Sequence, residues 1–277
     1  LGSTNELSMG DTTITGTLTV EGGVLTLAGD NEVKQQAMIG ADTTIQADST
    51  FTTGISTTIT GGNLDIQGTL NSALILEGGN ASLNSDTASL NGDLRIANGT
   101  FTYEKAKQDT SLVNIMFAGH MSYENRTLSV DNDWHVGNVT ATTNGTIKLN
   151  GTDDHDVTFT IDGALAGEGP LHITGKGNMV YNHTSSYSGD IYYTAIGNSY
   201  MYESDVLGKT GTVYFQIDES LITSPDKDKQ PFVYYQGTHS KNAVVENANM
   251  CTIGDTVWDG NFYQKSMYKK GQYDLTF

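Results

Sequence analysis

The chain has 277 residues and a formal net charge of −18, with 32 glycines, 3 prolines and one cysteine. So acidic a chain lacks the basic footprint that phosphate recognition needs, which excludes nucleic acid as a partner. Cys251 alone excludes an internal disulfide and a cysteine zinc cluster, and it reads as a small buried hydrophobe.

No apolar run approaches the ~20 residues of a membrane helix. No signal peptide opens the chain, so a secreted protein is expected to be a mature fragment here. From the N-terminus the pattern is alternation of apolar and polar residues with glycine punctuation, the signature of half-buried strands joined by tight turns. Thr12, Thr13, Thr15, Thr17 and Thr19 fall on the polar phase and are expected to form outward threonine ladders. Asn31 to Met38 and Glu104 to Asp109 have helix-forming composition and read as short protruding turns.

A Gly-x-apolar-x-apolar unit followed by Gly-x-apolar recurs, with first glycines Gly16, Gly62, Gly92, Gly145 and Gly169. The spacing predicts stacked coils of roughly 23 to 27 residues. Each coil is too small to bury its apolar face alone, but coils stacked about 4.8 Å apart make a continuous core. The expected fold is therefore all-β, a right-handed parallel β-helix (β-solenoid) with three strands per coil and Leu18, Leu64, Leu94 and Leu171 inward. Residues 110–143 keep alternating and carry Trp134. After Met201 the repeat weakens, and Ser224 to Gln230, with Pro225 inside it and Pro231 just beyond, reads as an exposed loop. The domain expectation is solenoid coils over 1–200 and an irregular continuation or cap with protruding loops over 201–277.

The most regular unit is Val157 to Gly197. Its order runs Gly167-x-Gly169, Leu171-x-Ile173-Thr174-Gly175-x-Gly177-x-Met179-x-Tyr181, then Tyr187-Ser188-Gly189 and Ile191. This resembles the autotransporter-associated β-strand repeat, of the form G-x-G-x-L, T-G-x-G-x-L-x-L, N-T-Y-S-G-x-T. It departs at Ser185-Ser186, in place of Asn-Thr, and at Asp190-Ile191, after the final glycine. The resemblance implies a passenger region of a Gram-negative autotransporter, β-helical and located outside the cell or on the bacterial surface. Its shared residues are structural, so it assigns no catalytic residue.

The sequence carries no Gly-x-Ser-x-Gly elbow, no His-Glu-x-x-His and no EF-hand loop. Gly208-Lys209-Thr210 ends like a P-loop, but Glu203 stands where the upstream glycine is needed. Asp153, Asp154 and Asp156 form the densest acidic cluster and read as a solvated turn, with Ca²⁺ seating as the functional alternative; Asp131 and Asp133 read the same way. The six histidines show no metal-ligand spacing, so neither a metal nor a cofactor is assigned. The Asn-x-Thr triplets, such as those at Asn98 and Asn144, are explained by strand and turn composition.

Twelve of the 14 tyrosines lie from Tyr181 onward, and seven of the 14 Lys and Arg from Lys209 onward. Consecutive tyrosines on a strand present one ring to each face, and exposed aromatics anchor glycan or protein interfaces. The candidate binding residues are Tyr234, Tyr235 and Trp258, with Lys227 and Lys229 to meet an acidic partner. The expected function is an adhesin or binding module for a host or surface protein or glycan, not an enzyme. The alternatives are a polysaccharide lyase or glycosidase, since paired carboxylates in one groove suffice for that chemistry, and a structural stalk. A membrane β-barrel is disfavoured, because Phe51 is the only aromatic in the first hundred residues and barrels carry aromatic girdles on all strands.

Overall fold

The structure is a computed structural model. It describes residues 5–107, 112–120, 124–152, 154–155, 157–182 and 186–195, then the strand segments 198–203, 212–217, 232–236, 238–239, 242–246, 251–253, 257–258 and 262–264. Side chains are described through Tyr192. All regular elements among these residues are β-strands, paired in parallel, so the fold is a parallel β-solenoid. The chain divides into two compact units, Leu1–Asp131 and Asn132–Phe277, and each is described by itself. The expected loosening after residue 200 falls largely outside the described residues.

In the first unit the strands of successive coils stack in register on shared faces. One face stacks the strands Glu6–Gly10, Val24–Ala28, Asp42–Ile45, Asn63–Ile66, Asn80–Leu83, Gly99–Tyr103 and Arg126–Val130. Their register sets Met9, Leu27, Ile45, Ile66, Leu83, Tyr103 and Val130 in one column, and all seven are buried. A second face column runs Val20, Ile39, Ile59, Leu76, Ile96 and Phe117, again buried throughout. Period-2 alternation places every second residue inward, and the backbone ladder aligns those residues from coil to coil.

Leu64, Leu94 and Leu171 are buried as expected. Leu18 stands in the inward column of Ala37, Thr57, Leu74 and Leu94 but is only half-buried. It heads that column, and its described neighbour there is the small Ala37.

Coils are shorter than the glycine spacing suggests. Glu6 faces Val24 and Val24 faces Asp42, eighteen residues on; Leu64 faces Ala81, only seventeen on. Coils near the expected length do occur, as where Phe101 faces Leu128 and Trp134 faces Phe159. The misreading has a clear cause. Gly16 and Gly92 precede strands of one face (Leu18–Val20, Leu94–Ile96), whereas Gly62 precedes a strand of another (Asn63–Ile66). The recurring motif therefore marks corners of different kinds, and its intervals mix whole coils with fractions of one.

Two local expectations are also corrected. Asn31 to Met38 is not a helical turn but part of the strands Asp30–Val33 and Ala37–Ile39. Burying Val33, Ala37 and Ile39 and pairing with Thr50–Ile59 outweighs the weak propensity of so short a stretch. The described part of Glu104 to Asp109, residues 104–107, is likewise not helical. Asp86 accepts the Ala106 and Lys107 amides, and the buried Lys105 ammonium donates to the Ala88 carbonyl at 2.6 Å. Thr13, Thr15, Thr17 and Thr19 do lie on the exposed phase, whereas Thr12 is half-buried; Thr13 faces Glu32 and Thr19 faces Met38, so the outward columns are mixed rather than threonine ladders.

In the second unit the eleven-residue strand Leu171–Tyr181 alternates buried and half-buried throughout. It turns a corner at Gly175, whose φ of +89° suits glycine. Before that corner it pairs with Gly145–Asn150, and after it with Val157–Ile161. Tyr187 is fully buried, and its hydroxyl donates to the carbonyls of Gly169 and, at 3.3 Å, Asp190. Burial pushes that phenol's pKa up. A Cβ on Gly189 would lie 2.6 Å from the Gly169 carbonyl oxygen. The tyrosine and the glycine thus tie the loop 186–190 to the corner at Gly169.

Candidate functional site

A concavity lies on the outward side of the first face described above. Two columns meet there: Asp42, Asn63, Asn80 and Thr100 in one, Thr44, Asp65, Ser82 and Thr102 in the other. Between them is a cleft of about 350 Å³, lined by Asn63, Asp65, Asn80, Ser82, Thr100 and Thr102 above the strand floor at Leu64 and Ala81. That is the lower end of the size range of small-ligand clefts, about 300–1,000 Å³.

Its side chains are held in place by one another. The Asn63 amide nitrogen donates to Asp42 Oδ1 at 3.0 Å, Asn80 Nδ2 donates to Asn63 Oδ1 at 3.2 Å, and the Thr100 backbone N–H donates to Asn80 Oδ1 at 3.1 Å. Asp65 accepts from Asn84 Nδ2 at 2.6 Å and from Gln67 Nε2 at 2.7 Å. Short polar residues at equivalent places in successive coils make these ladders, as opposite pairs do in any sheet.

Glu104 follows the strand that carries Thr100 and Thr102. Burial, then the carboxylates of Asp131 and Asp65, raise its pKa. A carboxyl raised in the fold stabilises it while protonated, and that contribution is lost as pH rises through the folded value. Glu104→Gln is therefore expected to raise the melting temperature slightly at pH 7, with the gap closing below pH about 4. Thermal melts across pH check this; a gap that stays constant with pH would refute the assigned titration.

A second, smaller cleft of about 180 Å³ is lined by Glu77, Arg95, Asn98, Gly119, His120 and Glu124. Its charges are internally balanced. Arg95 lies 3.8 Å from Glu77, and Glu124 pairs with the fully buried guanidinium of Arg126, which packs against Gly119.

In the second unit, His172 and Tyr192 stack at 4.7 Å with an interplanar angle of 10°. Burial lowers the His172 pKa. Tyr214 and Tyr263 stand further along the same backbone column. Rings stacked along the coil axis cover one another's faces, so the pair offers ring edges outward rather than a platform for a sugar. His135 Nδ1 lies 2.9 Å from Asp162, and His155 Nε2 3.7 Å from Asp133.

The residues singled out from sequence separate in the structure. Tyr235 stands in register with Met179 and Met201, a column whose described members Trp134, Phe159 and Met179 are buried. Tyr234 stands in the neighbouring column, with Asn178 and Tyr200. Trp258 faces His239 on a separate strand pair. Lys227 and Lys229 lie outside the described residues, as do Asp153 and Asp156 of the acidic run. Among the described residues no group of three or more His, Cys, Asp or Glu is placed to hold a metal ion, and no helix is long and apolar enough to cross a membrane.

The trough at Asn63–Thr102 was not singled out from the sequence. The signal for it was present as Asp42, Asn63 and Asn80 at matching positions, and it emerges only once coils of seventeen to twenty-one residues replace the longer period. No family model, no curated protein and no solved structure matches this chain.

Proposed function

We propose that this chain is an exported, passenger-like β-solenoid that acts as a binding protein at the bacterial surface or outside the cell. The reading is supported above all by the stretch Gly167–Ile191, whose motif residues each close or stiffen a coil. Gly175 turns the corner, Leu171, Ile173, Met179 and Tyr181 are buried, and Tyr187 ties the loop back to Gly169. A motif that builds coils and carries no chemistry suits a rigid display scaffold, with recognition left to faces and loops.

Tyr235 shares a backbone column with Met179 and Tyr234 one with Asn178, which supports a packing role for the first and a binding role for the second. Tyr234→Ala is expected to weaken binding to cells or to an arrayed ligand with little change in melting temperature. Tyr235→Ala is expected to lower the melting temperature. If Tyr234→Ala leaves binding intact, the recognition surface must be sought on another face.

One observation favours a second reading, a polysaccharide-processing enzyme. Burial and the carboxylates of Asp131 and Asp65 raise the pKa of Glu104, and Asp65 lines the polar trough; glycoside hydrolysis uses a pair of carboxyl groups whose environments set their pKa values apart. A glycan product that forms with the wild-type chain and is lost in Glu104→Gln would establish that alternative in place of pure binding.

A further inference from the structure

We infer that the trough on the first face is a binding site for a neutral, β-linked glycan chain laid along the coil stack. This rests on the binding-protein reading and adds to it a place and a ligand class. A sheet face differs from a sheet edge. The strands Asn63–Ile66, Asn80–Leu83 and Gly99–Tyr103 lie inside a continuous parallel ladder, the middle one paired on both sides. A peptide therefore cannot add here as a further strand, and recognition falls to side chains alone.

Those side chains are amides, carboxylates and hydroxyls. They recur from coil to coil at the strand spacing of about 4.8 Å. A β-1,4-linked pyranose chain advances by nearly the same step and turns over at each one, so every second sugar presents the same edge and meets equivalent partners on every second coil. An extended peptide advances about 3.3 Å per residue and falls out of phase.

The site is also preorganised. Asn63 and Asn80 are fixed by their ladder, and Asp65 by Gln67 and Asn84, which lowers the ordering cost of binding. Ser82 and Thr102 bring hydroxyls, each one donor and two acceptor positions. Charge sets the class further. Asp42 and Asp65 stand in the two columns and Glu104 beside them, while Lys34 is the only cation of the sequence before Arg95. Uronate, sulfate or sialic acid groups would meet like charge, so the fitting chain is neutral.

The test uses the full chain in calorimetric titrations with cellohexaose, an N-acetylglucosamine hexamer, hexagalacturonate and an unstructured polar peptide. At least one neutral hexamer should bind, and hexagalacturonate and the peptide should not. Ser82→Tyr, which fills the trough at its centre, should weaken neutral-hexamer binding about tenfold or more. Ser82→Ala, which removes only the hydroxyl, should weaken it less, and circular dichroism verifies that both variants fold. Binding unchanged in both Ser82 variants but lost in Tyr234→Ala overturns the trough site and leaves the binding-protein reading standing. Preference for hexagalacturonate or the peptide overturns the ligand class. Failure of all four probes, together with failure to bind cells or any arrayed ligand, overturns both the site and the reading beneath it.

Discussion

Gly167→Ala is expected to destabilise the second unit by about 3 kcal/mol or more, seen as an early-melting transition. Two costs coincide at this position. Its φ is +109°, a region in which side chains are rarely found. A Cβ there would sit 2.0 Å from the Ala141 carbonyl oxygen and 2.6 Å from its carbon. Both are backbone atoms of the facing coil, with no flexible side chain to yield. That carbonyl also accepts the Gly169 amide at 2.9 Å, so pushing it aside breaks a further bond. Gly16→Ala is the control. It opens the first copy of the recurring unit whose last copy begins at Gly169, two residues beyond Gly167, but nothing lies within 4 Å of its Cβ position and its φ is not positive. There the smaller entropy of the unfolded chain should leave stability unchanged or slightly raised. Equal effects at the two glycines would contradict the close approach seen at Gly167.

The contrast between Gly16 and Gly167 also marks how far the sequence could be read. Alternation such as Leu171-x-Ile173 or Leu94-x-Ile96 announces strands, because a period of two has one structural meaning, and the solenoid follows from units too small to bury a face alone. Which corner a glycine occupies is decided by backbone approach between coils, and a one-dimensional pattern does not contain it. The same blindness produced the overlong period and hid the trough, whose residues come from three coils and align only in the true register. Asn31–Val33 shows the converse limit. Glu and Lys favour helix locally, but the inward places of Asn31 and Val33 are fixed by pairing with Phe51 and Thr53 on the next coil. The sequence shows two adjacent tyrosines on a strand, but only the register with Met179 and Asn178 tells which residue stands in which backbone column.

Phe101→Ala is expected to cost the first unit about 4 kcal/mol or more, the middle to upper part of the range for truncating a buried phenylalanine. Phe101 is fully buried and stands in the inward column between Ala81 and Leu128. How much such a cavity costs depends on how well the surroundings collapse into it. In this fold they cannot collapse along the stack, because the backbone ladder fixes the strands about 4.8 Å apart. They cannot fill it from the adjacent coil either, since Ala81 has no side chain to extend. The loss should also stay local. Coils contact their neighbours in sequence, so a solenoid's stability is close to a sum of nearest-neighbour terms. Hydrogen exchange should therefore quicken first in the strands Asn80–Leu83, Gly99–Tyr103 and Arg126–Val130, while Leu25 to Ile45 keeps more of its protection. Uniform loss of protection across the unit, with a single cooperative transition shifted to lower temperature, would show instead that its coils unfold as one body.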